Sequence, residues 1–121
     1  MKRIIMLCLC ALFLCSCGTD KKELSTDQVI TCSQKDELVK DGAILIDVRT
    51  AQEYAEGNLE GSINLIVDTI SINIEKLVPD KDATIVVYCR SGNRSATAKS
   101  TLNNLGYKNV YDLGAMDNCS K

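Results

Sequence analysis

The segment Val86-Val87-Tyr88-Cys89-Arg90-Ser91-Gly92-Asn93-Arg94-Ser95-Ala96 sets a single cysteine between an apolar run and a helical pattern, inside a polar loop. Sulfur is a strong nucleophile, and its thiolate is the reactive form. Six consecutive backbone N–H groups, from Arg90 to Ser95, can curl around the sulfur or an anion that it carries, with Gly92 supplying backbone angles closed to other residues. The thiolate is favoured by these donors, by the charges of Arg90 and Arg94, and by the N-terminus of the helix that follows. The helix dipole contributes only about 1 kcal/mol, so the direct N–H bonds and the arginines weigh more. The opposing reading is an inert thiol inside the core. Two arginines, a glycine and two serines following at once do not suit an apolar pocket.

The elements on either side must hold this loop in place. Residues 83–88 form a β-branched run of the length expected for a buried parallel strand, and from Asn93 onward Ala98, Leu102 and Leu105 recur at helical spacing until Gly106. The loop therefore sits at a strand's carboxyl end, where parallel α/β sheets bind their ligands. Upstream, residues 28–31 read as a short strand, and Ser33 with Asp36 as the capping pair that opens a helix. A strand at 43–48 follows Gly42, and Thr50 with Glu53 makes a second capping box for a short helix ending at Gly57. Residues 62–65 form a brief strand. Ile70, Ile74 and Leu77 then fit a helix while Ile70, Ile72 and Ile74 alternate like a strand; the helix is adopted here. Residues 79–82 make a turn and 109–113 the last strand. Strands alternating with helices imply right-handed crossovers, and hence an α/β fold with a central parallel five-stranded sheet flanked by helices on both faces.

The amino terminus is read as a targeting segment. Lys2 and Arg3 precede an apolar run from Ile4 to Leu14, too short for the ~18 residues of a membrane span. Residues 1–16 are thus expected to be a signal peptide. Leu14-Cys15-Ser16-Cys17 resembles a bacterial lipobox, which implies lipidation of Cys17, a polar tether over 17–27 and a folded domain over 28–121. A plain secretory signal is the alternative. The expected location is the bacterial cell envelope, outside the cytoplasm, with the membrane engaged through the lipid alone. Gly18 is not the aspartate that retains many lipoproteins at an inner membrane, which leaves an outer-membrane anchor open. Of the seven cysteines, Cys32, Cys89 and Cys119 remain for the domain. An oxidising compartment allows a Cys32–Cys119 bridge with Cys89 free, but the expectation adopted is that Cys32 and Cys119 stay unpaired and buried.

Loss of Lys2 and Arg3 takes the formal charge from −2 to −4, and with no basic stripe and few aromatics nothing points to nucleic acid. The chain has no histidine, which removes a histidine general base and any histidine metal ligand; no metal and no cofactor are expected. The domain is small enough for one core and is expected to be monomeric.

Together these residues resemble a single rhodanese (sulfurtransferase) domain. The likeness is carried by Asp47-Val48-Arg49, Glu53-Tyr54-Ala55-Glu56-Gly57, Gly61-Ser62-Ile63-Asn64-Leu65, Tyr88 to Ser95, and Gly114 after the last strand. It implies that Cys89 attacks the outer sulfur of a donor such as thiosulfate, becomes a persulfide, and passes that sulfur to cyanide or a thiol. Arg90, Ser91, Gly92, Asn93, Arg94 and Ser95 would form the binding loop, with the two arginines attracting the anionic donor, or Arg94 turned inward to Asp47. Asp47, Arg49 and Glu53 are read as supports: Arg49 pairing with Glu53 or Glu56, and Asp47 orienting the loop. Solvated surface charge is the alternative for these. The chain departs from the family at Asn58, where histidine is frequent, at Cys119, where many members have tryptophan, and at Ala115 in place of a glycine. Cys119 as a resolving thiol for Cys89 is a further reading.

Phosphatases and arsenate reductases of related fold need arginine six positions after the cysteine. Here position 95 is serine and arginine stands at 94, one residue short, which favours a single sulfur atom over a tetrahedral oxyanion. A non-catalytic module that binds a partner or senses sulfur or redox state is the other alternative.

Overall fold

The computed structural model describes residues 24–119, so the expected signal peptide over 1–16, Cys17 and the two carboxyl-terminal residues lie outside it. Four strands, β1 (Ile44–Asp47), β2 (Ile63–Asn64), β3 (Thr84–Cys89) and β4 (Asn109–Ala115), form one parallel sheet in the order β2-β1-β3-β4. Four helices connect and cover them: α1 (Cys32–Lys40), α2 (Ala51–Glu56), α3 (Ile70–Leu77) and α4 (Asn93–Asn104). Short 3₁₀ turns precede α3 (Val67–Thr69) and follow β4 (Met116–Cys119).

The period-2 alternation of strand side chains divides the core into two layers. Ile85, Val87 and Cys89 of β3 join Ile46, Val48 and Val110 against Ile70 and Ile74 of α3 and Ala98 and Leu102 of α4. Val86 and Tyr88 point the other way and meet Leu45, Leu113 and Ile30, with Leu38 and Val39 of α1 packed on them. Helices thus cover both faces.

The expected fifth strand is absent among the described residues. Thr31 is already the N-cap of α1, its side chain bonded to Gln34 N and its own N–H to Gln34, so three residues remain upstream. They give one backbone bond to the sheet, from Ile30 N to Asp112 O at 2.9 Å. For the same reason α1 opens on Thr31 and Gln34 rather than on Ser33 and Asp36. The Thr50–Glu53 capping box and the α3 helix agree with the sequence pattern.

Cys32 and Cys119 form a disulfide, with Cα atoms 5.1 Å apart, which corrects the expectation of two unpaired thiols. It also takes Cys119 out of any resolving role. The pairing joins positions 87 residues apart, and only the folded arrangement of α1 against the end of β4 brings them together. Cys89 is the free cysteine among the described residues.

Candidate active site

Cys89 ends β3, and the carboxyl ends of β1 and β4 lie on either side of it. Asp47 of β1 is in register with Tyr88, and Ala115 of β4 with Cys89. β4 bulges so that Val87 faces Asp112 and Tyr88 faces Gly114, which skips Leu113 and lets the chain pass close beneath the loop. A Cβ on Gly92 would lie 3.8 Å from the Gly114 Cα.

Gly92 holds φ +105°, the left-handed region that a side chain disfavours, and serves as N-cap of α4. That turn folds the backbone back over the sulfur. Gly92 N donates to Cys89 Sγ at 3.0 Å and Ser95 N at 3.3 Å. Ser95 is itself buried and its hydroxyl donates to Gly92 O at 3.1 Å, bracing the turn from inside. Two of the six expected N–H groups thus reach the sulfur directly. Cys89 is fully buried, yet the donors that meet it are those of a helix N-terminus. Arg90, Ser91 and Asn93 are exposed on the loop's outer side.

The charged residues pair differently from the sequence expectation. Arg49 grips Asp47: Nε lies 2.9 Å from Oδ1 and Nη2 2.6 Å from Oδ2, and the Arg49 backbone N–H adds a bond to Oδ1 at 2.9 Å. Asp47 is completely buried and Arg49 6% exposed, so this pair is interior rather than solvated surface. Arg49 Nη2 also donates to Gly57 O at 2.7 Å, fixing the end of α2, and its guanidinium sits 5.9 Å from the Tyr88 ring. The hydrogen bond that Arg49 donates to Asp47, ahead of the opposing effect of burial, raises the Arg49 pKa. Arg49 pairs with neither Glu53 nor Glu56 because the turn after β1 brings it back onto its own neighbour.

Glu53 is engaged instead by Arg94, through Nη1–Oε1 at 2.7 Å and Nη2–Oε2 at 3.1 Å, so Arg94 faces α2 rather than Asp47. The same carboxylate accepts from Thr50 N at 3.0 Å in the capping box. The Arg94 hydrogen bond first, and the Thr50 backbone second, hold the Glu53 carboxyl down to about 2. Arg94 therefore ties α4 to α2, and Arg90 is the loop arginine without an ion pair among the described residues.

Several supports were not assigned from the sequence. Asn64 Nδ2 donates to Asp47 O at 2.9 Å and Arg49 O at 3.0 Å, pinning the turn after β1. The Tyr88 hydroxyl accepts from Leu59 N and donates to Ser62 Oγ, both at 3.0 Å. Ser62 and Asn64 lie in a stretch already singled out in the sequence and Leu59 does not; spacing alone does not say which atoms they reach. Beside the loop lies a cavity of about 260 Å³ lined by Arg49, Glu53, Glu56, Gly57, Arg90, Met116 and Asp117. Met116 and Asp117 belong to no motif.

The sequence matches the rhodanese-like domain family over residues 31–118. The chain belongs to that family. Thiosulfate sulfurtransferase PspE of Escherichia coli (strain K12) is 37% identical over 71 residues, 59% of this chain and 68% of that protein. Thiosulfate sulfurtransferase GlpE of Ectopseudomonas mendocina is 36% identical over 84 residues, 69% of this chain and 75% of its own. Among solved structures, a rhodanese with anions from E. coli superposes with a TM-score of 0.63 at 33% identity, covering 65% of this chain and 93% of that one. The protein is thus a rhodanese-type sulfurtransferase. In that setting the Cys89 loop, its helix N-terminus and the adjoining cavity form its candidate active site.

Proposed function

We propose that Cys89 carries sulfur as a persulfide between a small anionic donor of the thiosulfate type and cyanide or a thiol. The observation that carries this reading is the pair of N–H bonds from Gly92 and Ser95 to Cys89 Sγ at the sheet's carboxyl edge. Such donors stabilise the attacking thiolate, and in this reading the remaining N–H groups of the turn receive the terminal sulfur. In the loading step Sγ attacks the outer sulfur of thiosulfate. A sulfur–sulfur bond forms to Cys89, the donor's own breaks, and the electron pair leaves with sulfite. In the discharge step cyanide or a thiolate attacks the terminal sulfur and the electron pair returns to Sγ.

Arg90, on the cavity wall and without an ion pair among the described residues, supplies the positive charge for the donor. Arg94, held by Glu53, acts by fixing the loop to α2. The test is thiocyanate release from thiosulfate and cyanide by the domain, with Cys89→Ser as control. Turnover in the wild type and none in the variant is expected; equal rates in both would refute the reading.

We further propose that the domain works outside the cytoplasm, lipid-anchored through Cys17 in the cell envelope. The Cys32–Cys119 disulfide supports this, since such bonds persist in oxidising compartments. Intact mass of membrane-fraction protein, wild type against Cys17→Ala, tests it: an unlipidated, soluble wild type would refute the anchor.

A further inference from the structure

The turn Met116–Cys119 leaves the sheet beside the nucleophile and is tied down at both ends. At its start, Ala115 is the register partner of Cys89, and Gly114 packs against the Gly92 turn. At its far end Cys119 is bonded to Cys32, the first residue of α1. α1 is a firm anchor, because its capping box is complete and Leu38 and Val39 pack on the sheet. Between the two attachments, Met116 and Asp117 line the cavity that Arg90, the residue after Cys89, also lines. Besides the turn's own backbone bonds, a side-chain bond from Asn118 Nδ2 to Leu113 O at 2.9 Å ties it to β4.

We propose that Cys32 and Cys119 are positioning residues for sulfur transfer: their disulfide holds the Met116–Asp117 turn as a fixed wall of the donor cavity. The proposal rests on the persulfide reading of Cys89. A four-residue 3₁₀ turn has poor hydrogen-bond geometry and holds its place only through what anchors it. Opening the bridge takes two electrons and two protons and leaves two thiols. The wall then loses its covalent attachment, while Cys89 and its N–H donors stay fixed by β3 and α4. The effect therefore falls on donor binding. If the freed wall is in place in about a tenth to a fifth of molecules, apparent affinity falls roughly five- to tenfold.

The experiment uses one protein in two redox states. The oxidised domain is reduced with a phosphine, desalted so that no reductant reaches the persulfide, assayed at once, and then reoxidised, with thiol content followed by mass. The KM for thiosulfate is expected to rise about five- to tenfold with kcat within about twofold, and to recover on reoxidation. Cys32→Ser/Cys119→Ser should show the raised KM whether or not it has met reductant. Tyr107→Phe, which removes a hydrogen bond to Val78 O at the opposite end of the sheet, should weaken the fold and leave KM unchanged. An unchanged KM in folded, reduced protein would overturn the proposal. So would loss of the folded circular dichroism signal on reduction, since the bridge would then hold the whole domain rather than the wall. If the oxidised wild type neither loads nor turns over, the persulfide reading itself has failed.

Discussion

Replacing Arg49 by alanine tests whether the interior pair beneath the loop is a structural necessity. The substitution removes the three side-chain bonds to Asp47 and the one to Gly57 O, and leaves Asp47 fully buried with the backbone N–H of residue 49 as its remaining partner. Breaking a buried pair by deleting one member costs about 3–5 kcal/mol, because a buried charge is left uncompensated. In a domain of this size each kcal/mol moves Tm by about 4–8 °C, so the expected fall is roughly 12–40 °C. The assay is urea unfolding followed by circular dichroism, which gives the stability directly if the slope with urea is unchanged. The double variant Arg49→Met/Asp47→Leu separates charge from packing. Removing both charges should recover most of the loss, since replacing a buried pair by apolar groups is often close to neutral. A single variant within about 1 kcal/mol of wild type, the ordinary range of a surface ion pair, would refute this reasoning. So would a double variant less stable than the single.

Other outcomes follow from the same geometry. Glu53 has a folded pKa of about 2 against an ordinary 4.5, so its contribution is complete above pH 4.5 and is lost as pH falls towards 2; the acid-unfolding curve of Glu53→Gln should be flatter than wild type across that window. Gly92→Ala meets no steric block, the nearest atom being 3.8 Å from the new Cβ, but it must hold φ +105° at a cost of about 1–2 kcal/mol. A modest loss of stability with a fall in kcat of about tenfold or more is expected, because relaxing the turn withdraws the Gly92 N–H from the sulfur. Arg90→Ala should raise the KM for thiosulfate and weaken its dependence on ionic strength, with Tm unchanged, since Arg90 is exposed and without an ion pair among the described residues.

The site was legible where the signal was local. The strand, loop and helix around Cys89 follow from periodicity and one glycine, and the Thr50–Glu53 box from a four-residue motif. What the sequence hid was set by the chain's return path. Arg49 had acidic residues within reach on α2 and on its own strand, and only the turn after β1, pinned by Asn64, selects Asp47. Arg94 and Glu53 are 41 residues apart, and nothing in their spacing says that α4 and α2 meet. The disulfide is hidden for the same reason. The sequence suggests a short strand at 28–31, but Thr31 is taken by helix capping, which leaves too few residues for a ladder. Met116 and Asp117 enter the cavity only because β4 bulges and runs past the loop.

Intact mass of the oxidised domain after thiosulfate alone, with no acceptor present, tests the central claim most directly. A gain of about 32 Da, one sulfur atom, located on Cys89, discharged by cyanide and missing from Cys89→Ser, is the predicted result. No adduct on a folded protein with a free Cys89 thiol would contradict the account and leave the domain as a binding or sensing module.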